Sequence, residues 1–248
     1  MKSAFLSAIL MLSMGYLNAQ NETLLLAEKP AQKGKFALDL SAGASLVSGN
    51  FTKTDYADST AGFAQSTGLN LQLRASYNLR QNLPVYVSIS SAQYGMNDLK
   101  NLAEGYLTDF DVDSTTLTAK GKYQHTALLV GTGWLGEFVD IRIDAHMMAG
   151  VSMLKTPELK VDLEDNAAAT FYQRSSSGMG FAWQIGAGAS YDFTSKWGMR
   201  IGIEYMSAKP NVSMDNENRT SNTGRLISTY HQPINSMTAR LGIVYQLN

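Results

Sequence analysis

Along most of this chain, apolar and polar residues alternate one for one. In 36–46, Phe36, Leu38, Leu40, Ala42, Ala44 and Leu46 share one face, and Ala37, Asp39, Ser41, Gly43 and Ser45 share the other. The pattern recurs in 69–79, where Leu69, Leu71, Leu73 and Tyr77 oppose Asn70, Gln72, Arg74 and Asn78. In 139–151, Val139, Ile141, Ile143 and Met147 oppose Asp140, Arg142, Asp144 and His146. Three later stretches, 181–193, 197–205 and 237–247, set Trp183, Ile185, Ile201, Ile203, Leu241 and Ile243 against Gln184, Gly186, Arg200, Glu204 and Arg240. A period of two predicts strands with one face in an apolar medium, and helical spacing fits none of these stretches. Two weaker stretches complete a set of eight. One is 85–95, after an expected turn at Gln81-Asn82-Leu83-Pro84. The other is 122–134, with Thr126, Leu128, Val130, Thr132 and Trp134 assigned outward.

The connections sort by length. Tight turns are expected between 79 and 85, 134 and 138, and 193 and 197; long polar loops are expected at 47–66, 96–121, 152–178 and 208–233. Short turns at one end and long loops at the other are what an outer-membrane barrel needs. A soluble β-sandwich also alternates, but its strands usually run to about five or six residues. The segments here match the roughly 9–11 residues of a tilted strand crossing a bilayer. Phe36, Tyr77, Trp134, Tyr191, Phe193, Trp197 and Tyr245 fall near the short-turn ends, and Phe181, Trp183 and Tyr205 near the long-loop ends. Two such girdles suit the two membrane interfaces, where a ring can be half apolar and half wet. The expected fold is all-β: a closed antiparallel transmembrane β-barrel of eight strands.

Composition narrows the chemistry. The formal net charge of −1 gives no electrostatic basis for binding nucleic acid. Absence of cysteine excludes a disulfide scaffold, a thiolate metal site and a cysteine nucleophile. Lys2, the apolar run over 4–15 and Asn18-Ala19 before Gln20 read as a secretory signal over 1–19. Residues 20–35 read as a periplasmic lead, and 36–248 as the barrel.

These features resemble the OmpA-like family of small outer-membrane barrels, over about 36–248. The resemblance implies an outer-membrane location, contact with membrane lipid and lipopolysaccharide, and loops facing the cell exterior. Two departures stand out. Many such barrels end in an aromatic residue, whereas this sequence ends Tyr245-Gln246-Leu247-Asn248. Full-length members also carry a peptidoglycan-binding domain after the barrel, and the expectation here is a barrel without one.

The inward faces carry Asp39, Arg74, Asp140, Arg142, Asp144, His146, Arg200, Glu204 and Arg240. An eight-stranded barrel is just wide enough for its side chains to fill. Charges in so narrow a lumen must be paired. The expectation is a polar, salt-bridged plug; a charged constriction passing small solutes is the alternative. Three histidines, His125, His146 and His231, are present. Asp144 could orient His146, as in a lipid-acting barrel enzyme, but no serine can be placed beside them, so no catalytic site is assigned. No cofactor is expected. Asp109-Phe110-Asp111-Val112-Asp113 begins like a calcium loop, but Ser114 and Lys120 stand where Gly and Glu belong. Its alternation suits a strand extending above the membrane. Asp-Ser-Thr triplets at Asp58 and Asp113 resemble a bacterial O-glycosylation sequon, whereas the Asn-x-Ser/Thr triplets at Asn50, Asn211 and Asn218 read as chance. The expected role is a structural anchor and surface-interaction scaffold acting through the four long loops. A small-solute channel, or an accessory barrel of a secretion or transport system, is the alternative.

Overall fold

The computed structural model describes residues 36–58, 60–80, 82–110, 113–138, 141–163, 169–218 and 226–247. The expected signal and lead lie outside the described residues. In chain order the elements are β1 (Phe36–Ser48), β2 (Ala64–Arg80), β3 (Leu83–Met96), α1 (Leu99–Phe110), β4 (Thr115–Lys120), β5 (Tyr123–Phe138) and β6 (Ile141–Lys155). They continue with β7 (Glu158–Leu163), β8 (Ala169–Arg174), β9 (Ser177–Asp192), β10 (Trp197–Ala208), β11 (Asn211–Asn218), β12 (Leu226–His231) and β13 (Ile234–Leu247).

Eight of these strands close a barrel in the order β1-β2-β3-β5-β6-β9-β10-β13, every pair antiparallel, with β13 returning to β1. Closure leaves no strand edge bare, which is a requirement in lipid, where unpaired backbone groups have no water to turn to. Parity follows the sequence pattern. Leu40, Leu71, Ile143, Ile185, Ile203 and Leu241 are exposed on the outer wall, while Asp39, Asn70, Arg74, Asp144, Glu204 and Arg240 are buried inside. A water-soluble protein would invert this. The turns at the short end are tight: Arg80 pairs with Leu83, and Trp197 donates its backbone N–H to Thr194 Oγ1 at 2.9 Å.

Three expectations need correction. The turn placed between 134 and 138 is continuous strand, because β5 pairs with β6 through to Phe138 and Ile141. The Trp134 indole lies over Gly136 within that strand and leaves no room for a side chain there. Leu83 and Pro84 likewise begin a strand instead of finishing a turn. The long segments are not plain loops either: α1 and the strands β4, β7, β8, β11 and β12 lie within them. Residues 99–110 are helical, so the strand read into the aspartate run fails at Asp109 and Phe110; Asp111 and Val112 lie outside the described residues. The helix has its own logic: Leu99, Leu102 and Tyr106, spaced by three and four, form the side that packs on the strands.

Above the barrel, strand pairing continues as β12-β11-β8-β7-β4, a sheet extension that starts where Asn211 of β11 meets Met179 of β9. With α1 it forms a cap with a core of its own, made by Phe63, Leu102, Leu159, Val161 and Leu163.

Candidate functional site

Inside the barrel the side chains form two tiers. The lower tier, toward the short turns, is an ion-pair lattice. Asp39 Oδ2 accepts from Arg74 Nη2 at 2.8 Å and lies 3.2 Å from Arg200 Nε. Arg200 grips Asp144 with both terminal nitrogens, one at 3.0 Å. The same Asp144 Oδ2 accepts from His146 Nδ1 at 2.9 Å. Higher in the lumen, Glu204 pairs with Arg240, accepts from Gln184 Nε2 at 2.7 Å, and lies 3.9 Å from Arg74 Nη1 and 3.5 Å from His146 Nε2. Arg240 Nε donates to Asn70 Oδ1 at 2.9 Å.

Room for this lattice comes from glycine. A Cβ at Gly186 would sit 2.6 Å from Glu204 Cγ and 2.8 Å from His146 Nε2, and one at Gly188 would strike the Arg200 guanidinium. Three carboxylates, Asp39, Asp144 and Glu204, thus balance three guanidiniums, those of Arg74, Arg200 and Arg240. Balance matters because a buried charge stripped of its counter-charge costs several kcal/mol.

Seven of the nine lumenal residues selected from the sequence are brought together here. Arg142 stands apart, bonded to Asp192 at 2.7 Å near the short-turn rim, and Asp140 lies outside the described residues. The sequence reading passed over Asn70, Gln72, Gln184 and Asp192. The amides carry no charge to single them out, and Asp192 sits next to a turn. His125 is buried in the upper tier and His231 is exposed at the end of β12, so the three histidines do not converge. A cleft of about 50 Å³ touches Asp39, Arg74, Asp144 and Arg200 at the bottom of the barrel, room for a few waters at most.

The upper tier corrects the picture of a wholly polar plug. Ala92, Tyr94, Ala127, Leu129, Leu154 and Met206 are buried against one another within the barrel. Phe51, from the turn after β1, drops onto them. Its ring meets Tyr94 edge-on at 5.6 Å and Tyr123 at 5.1 Å. Tyr94 Oη bonds Ser45 Oγ at 2.8 Å, and Tyr123 Oη donates to the Gly62 carbonyl at 2.7 Å. Each phenol therefore satisfies its polar end while its ring fills the bore.

A model of the outer membrane protein beta-barrel domain family matches residues 8–245. The chain belongs to this family. As an outer-membrane barrel it resides in that membrane, with its short turns toward the periplasm and its cap outside. Among solved structures it is similar to a major outer membrane protein from Thermus thermophilus, at 13% identity over 85% of this chain and 98% of that one, with a TM-score of 0.50. Neisserial surface protein A is 12% identical over 86% of this chain and 97% of that one, with a TM-score of 0.46. Ail, the attachment invasion locus protein of Yersinia pestis, is 11% identical over 86% and 99%, with a TM-score of 0.44. At these identities the likeness concerns the fold. No curated protein matches the chain.

On this outer-membrane barrel the electrostatics of the cap are those of a wet surface. Asp58 Oδ1 accepts from both the backbone N–H and the hydroxyl of Thr60, and Oδ2 accepts from Lys53 Nζ at 3.0 Å. These bonds, the Thr60 hydroxyl foremost, hold its pKa at about 2. Lys160, at 2.7 Å, lowers the pKa of Asp162 in the same way.

Proposed function

We propose that this protein is a closed membrane anchor whose work is done outside the cell, by the cap that 47–66, 96–121, 152–178 and 208–233 build. The observation that carries the reading is the filled lumen. An ion-paired lower tier and an aromatic upper tier fill the described interior, and Phe51 packs at the outer mouth with no exposed surface of its own. A pore would need a wider bore or movable side chains. His146 faces carboxylates at both ring nitrogens, which suits a structural role better than that of a catalytic base. Function on such scaffolds lives mainly in surface segments carried by a rigid frame, and the occupant we favour is a molecule or macromolecule met at the cell surface.

Single-channel recording in a planar bilayer tests the reading. The expected trace stays at baseline. Phe51→Ala combined with Tyr94→Ala should remain closed at the lower tier. Discrete conductance steps from the unaltered protein would overturn the anchor reading in favour of a small-solute channel.

A further inference from the structure

The cap holds a partly open pocket of about 160 Å³ between the helix, the extension sheet and the rim of the barrel. Its walls come from well-separated parts of the sequence: Tyr56 and Phe63 from the segment after β1, Leu102 and Tyr106 from α1, Leu159 from β7, and Tyr230 from β12. Protein interiors are close-packed and rarely keep voids larger than a water molecule. An apolar cavity of about 150 Å³ is large enough to take a benzene ring.

The lining has a particular chemistry. Aromatic and aliphatic side chains share the lining almost evenly with polar groups: phenol hydroxyls, the Gln173 amide and Asp58 at the edge. Burial pushes the Tyr230 pKa up to about 12, so its phenol stays neutral. Asp58 presents no unclaimed charge, since Thr60 and Lys53 already take its oxygens. With Asp58 already paired to Lys53, neither a cation nor an anion finds an unpaired counter-charge among the lining residues. Concave, mostly apolar sites with a few polar groups are how proteins hold small molecules. Closeness of the walls is built in, because a Cβ at Gly105 of α1 would collide with the Tyr56 ring.

We propose that this cavity binds a small uncharged aromatic molecule of one ring, of the phenol class, at the outer surface. The ring would lie among Tyr56, Tyr106 and Phe63, with its hydroxyl toward Gln173 and Tyr230. The proposal does not depend on whether the lumen conducts.

The test uses the full chain in lipid nanodiscs, methyl-labelled and titrated with phenol by NMR. Methyls of Met96, which lines the cavity, and of Leu102 should move saturably. Those of Met148 in the lumen and Met199 on the lipid face should stay. Ala61→Trp, which fills the cavity from its wall, should weaken binding at least tenfold. The methyl map on the unaltered chain decides the matter even where that variant does not fold. Shifts that never saturate, or that appear at Met199 instead, would mean simple partition into lipid and overturn the site. Tetramethylammonium displacing phenol would overturn the uncharged class in favour of an aromatic cage for cations.

Discussion

Glu204 and Arg240 offer the sharpest test of the lumenal lattice. Both side chains are almost wholly buried, at 4% and 5% exposure. Replacing Glu204 by Gln removes the carboxylate on which Arg240 relies and which Arg74 approaches at 3.9 Å. Two guanidiniums then face a neutral amide in a lumen with three guanidiniums and two remaining carboxylates. Breaking a buried pair from one side costs about 3–5 kcal/mol, and the upper end applies here. Arg240→Met is milder. Glu204 keeps Gln184 at 2.7 Å, Gln72 at 3.4 Å and Arg74 nearby, so about 3 kcal/mol is expected. The double variant removes both charges together and should cost less than the sum of the singles by about 1–3 kcal/mol. Urea unfolding from lipid vesicles, followed by tryptophan fluorescence, gives all four corners of the cycle. Coupling below about 0.5 kcal/mol is the size found for independent sites. It would refute the claim that the two side chains form a working pair.

Three further expectations concern other parts of the molecule. Ile143 and Ile185 face lipid near mid-strand, so Arg at either should destabilise the barrel by about 2–4 kcal/mol in vesicle refolding; unchanged stability would reverse the inside-outside assignment. Cysteine at Lys209 should react with an impermeant thiol reagent on whole cells, whereas cysteine at Ser195, in the β9–β10 turn, should react only after the outer membrane is opened. Asp58 has a folded pKa of about 2 against an ordinary value of 3.8. Its contribution to the order of the segment after β1 is therefore present above pH 4 and lost as pH falls toward 2. Proteolysis with pepsin should cut between Lys53 and Phe63 more readily at pH 2 than at pH 4, and Asp58→Asn should erase the difference.

The barrel was legible because one physical rule governs most of it: lipid outside, filled lumen inside, and a period of two between them. The two strands that looked weak, β3 and β5, carry several apolar residues at inward positions, beside Ser88, Ser90 and His125. Tyr86, Ala92, Tyr94, Ala127 and Leu129 face the interior, so the alternation is faint there and the upper tier went unseen. Phe51 sits in a segment that reads as an outside loop, and nothing local says that its ring folds back into the mouth. Inward direction of the charged residues follows from parity, and the β10–β13 hairpin brings Glu204 and Arg240 within reach of each other, but the partners of the other charges do not follow from it. In register Glu204 stands opposite Thr238, and Arg240 opposite Gly202. Long side chains bridge this two-residue offset, which depends on the shear of the closed barrel. The cap was missed for a different reason. Its strands are mostly six to eight residues long and its helix is one short amphipathic stretch, signals too brief to stand out among polar neighbours.

The extension sheet ties segments that are distant in sequence by main-chain hydrogen bonds, β4 to β7 to β8 to β11. Main-chain bonding is indifferent to the identity of outward side chains. Thr116, Thr118, Lys120 and Lys160 point away from Leu159, Val161 and Leu163 and are exposed. Their replacement alters what a visiting molecule or an antibody meets while leaving the underlying scaffold unmoved. A surface under pressure to change its appearance can thus vary residue by residue without re-solving its own folding problem, much as an immunoglobulin framework carries different faces on one frame.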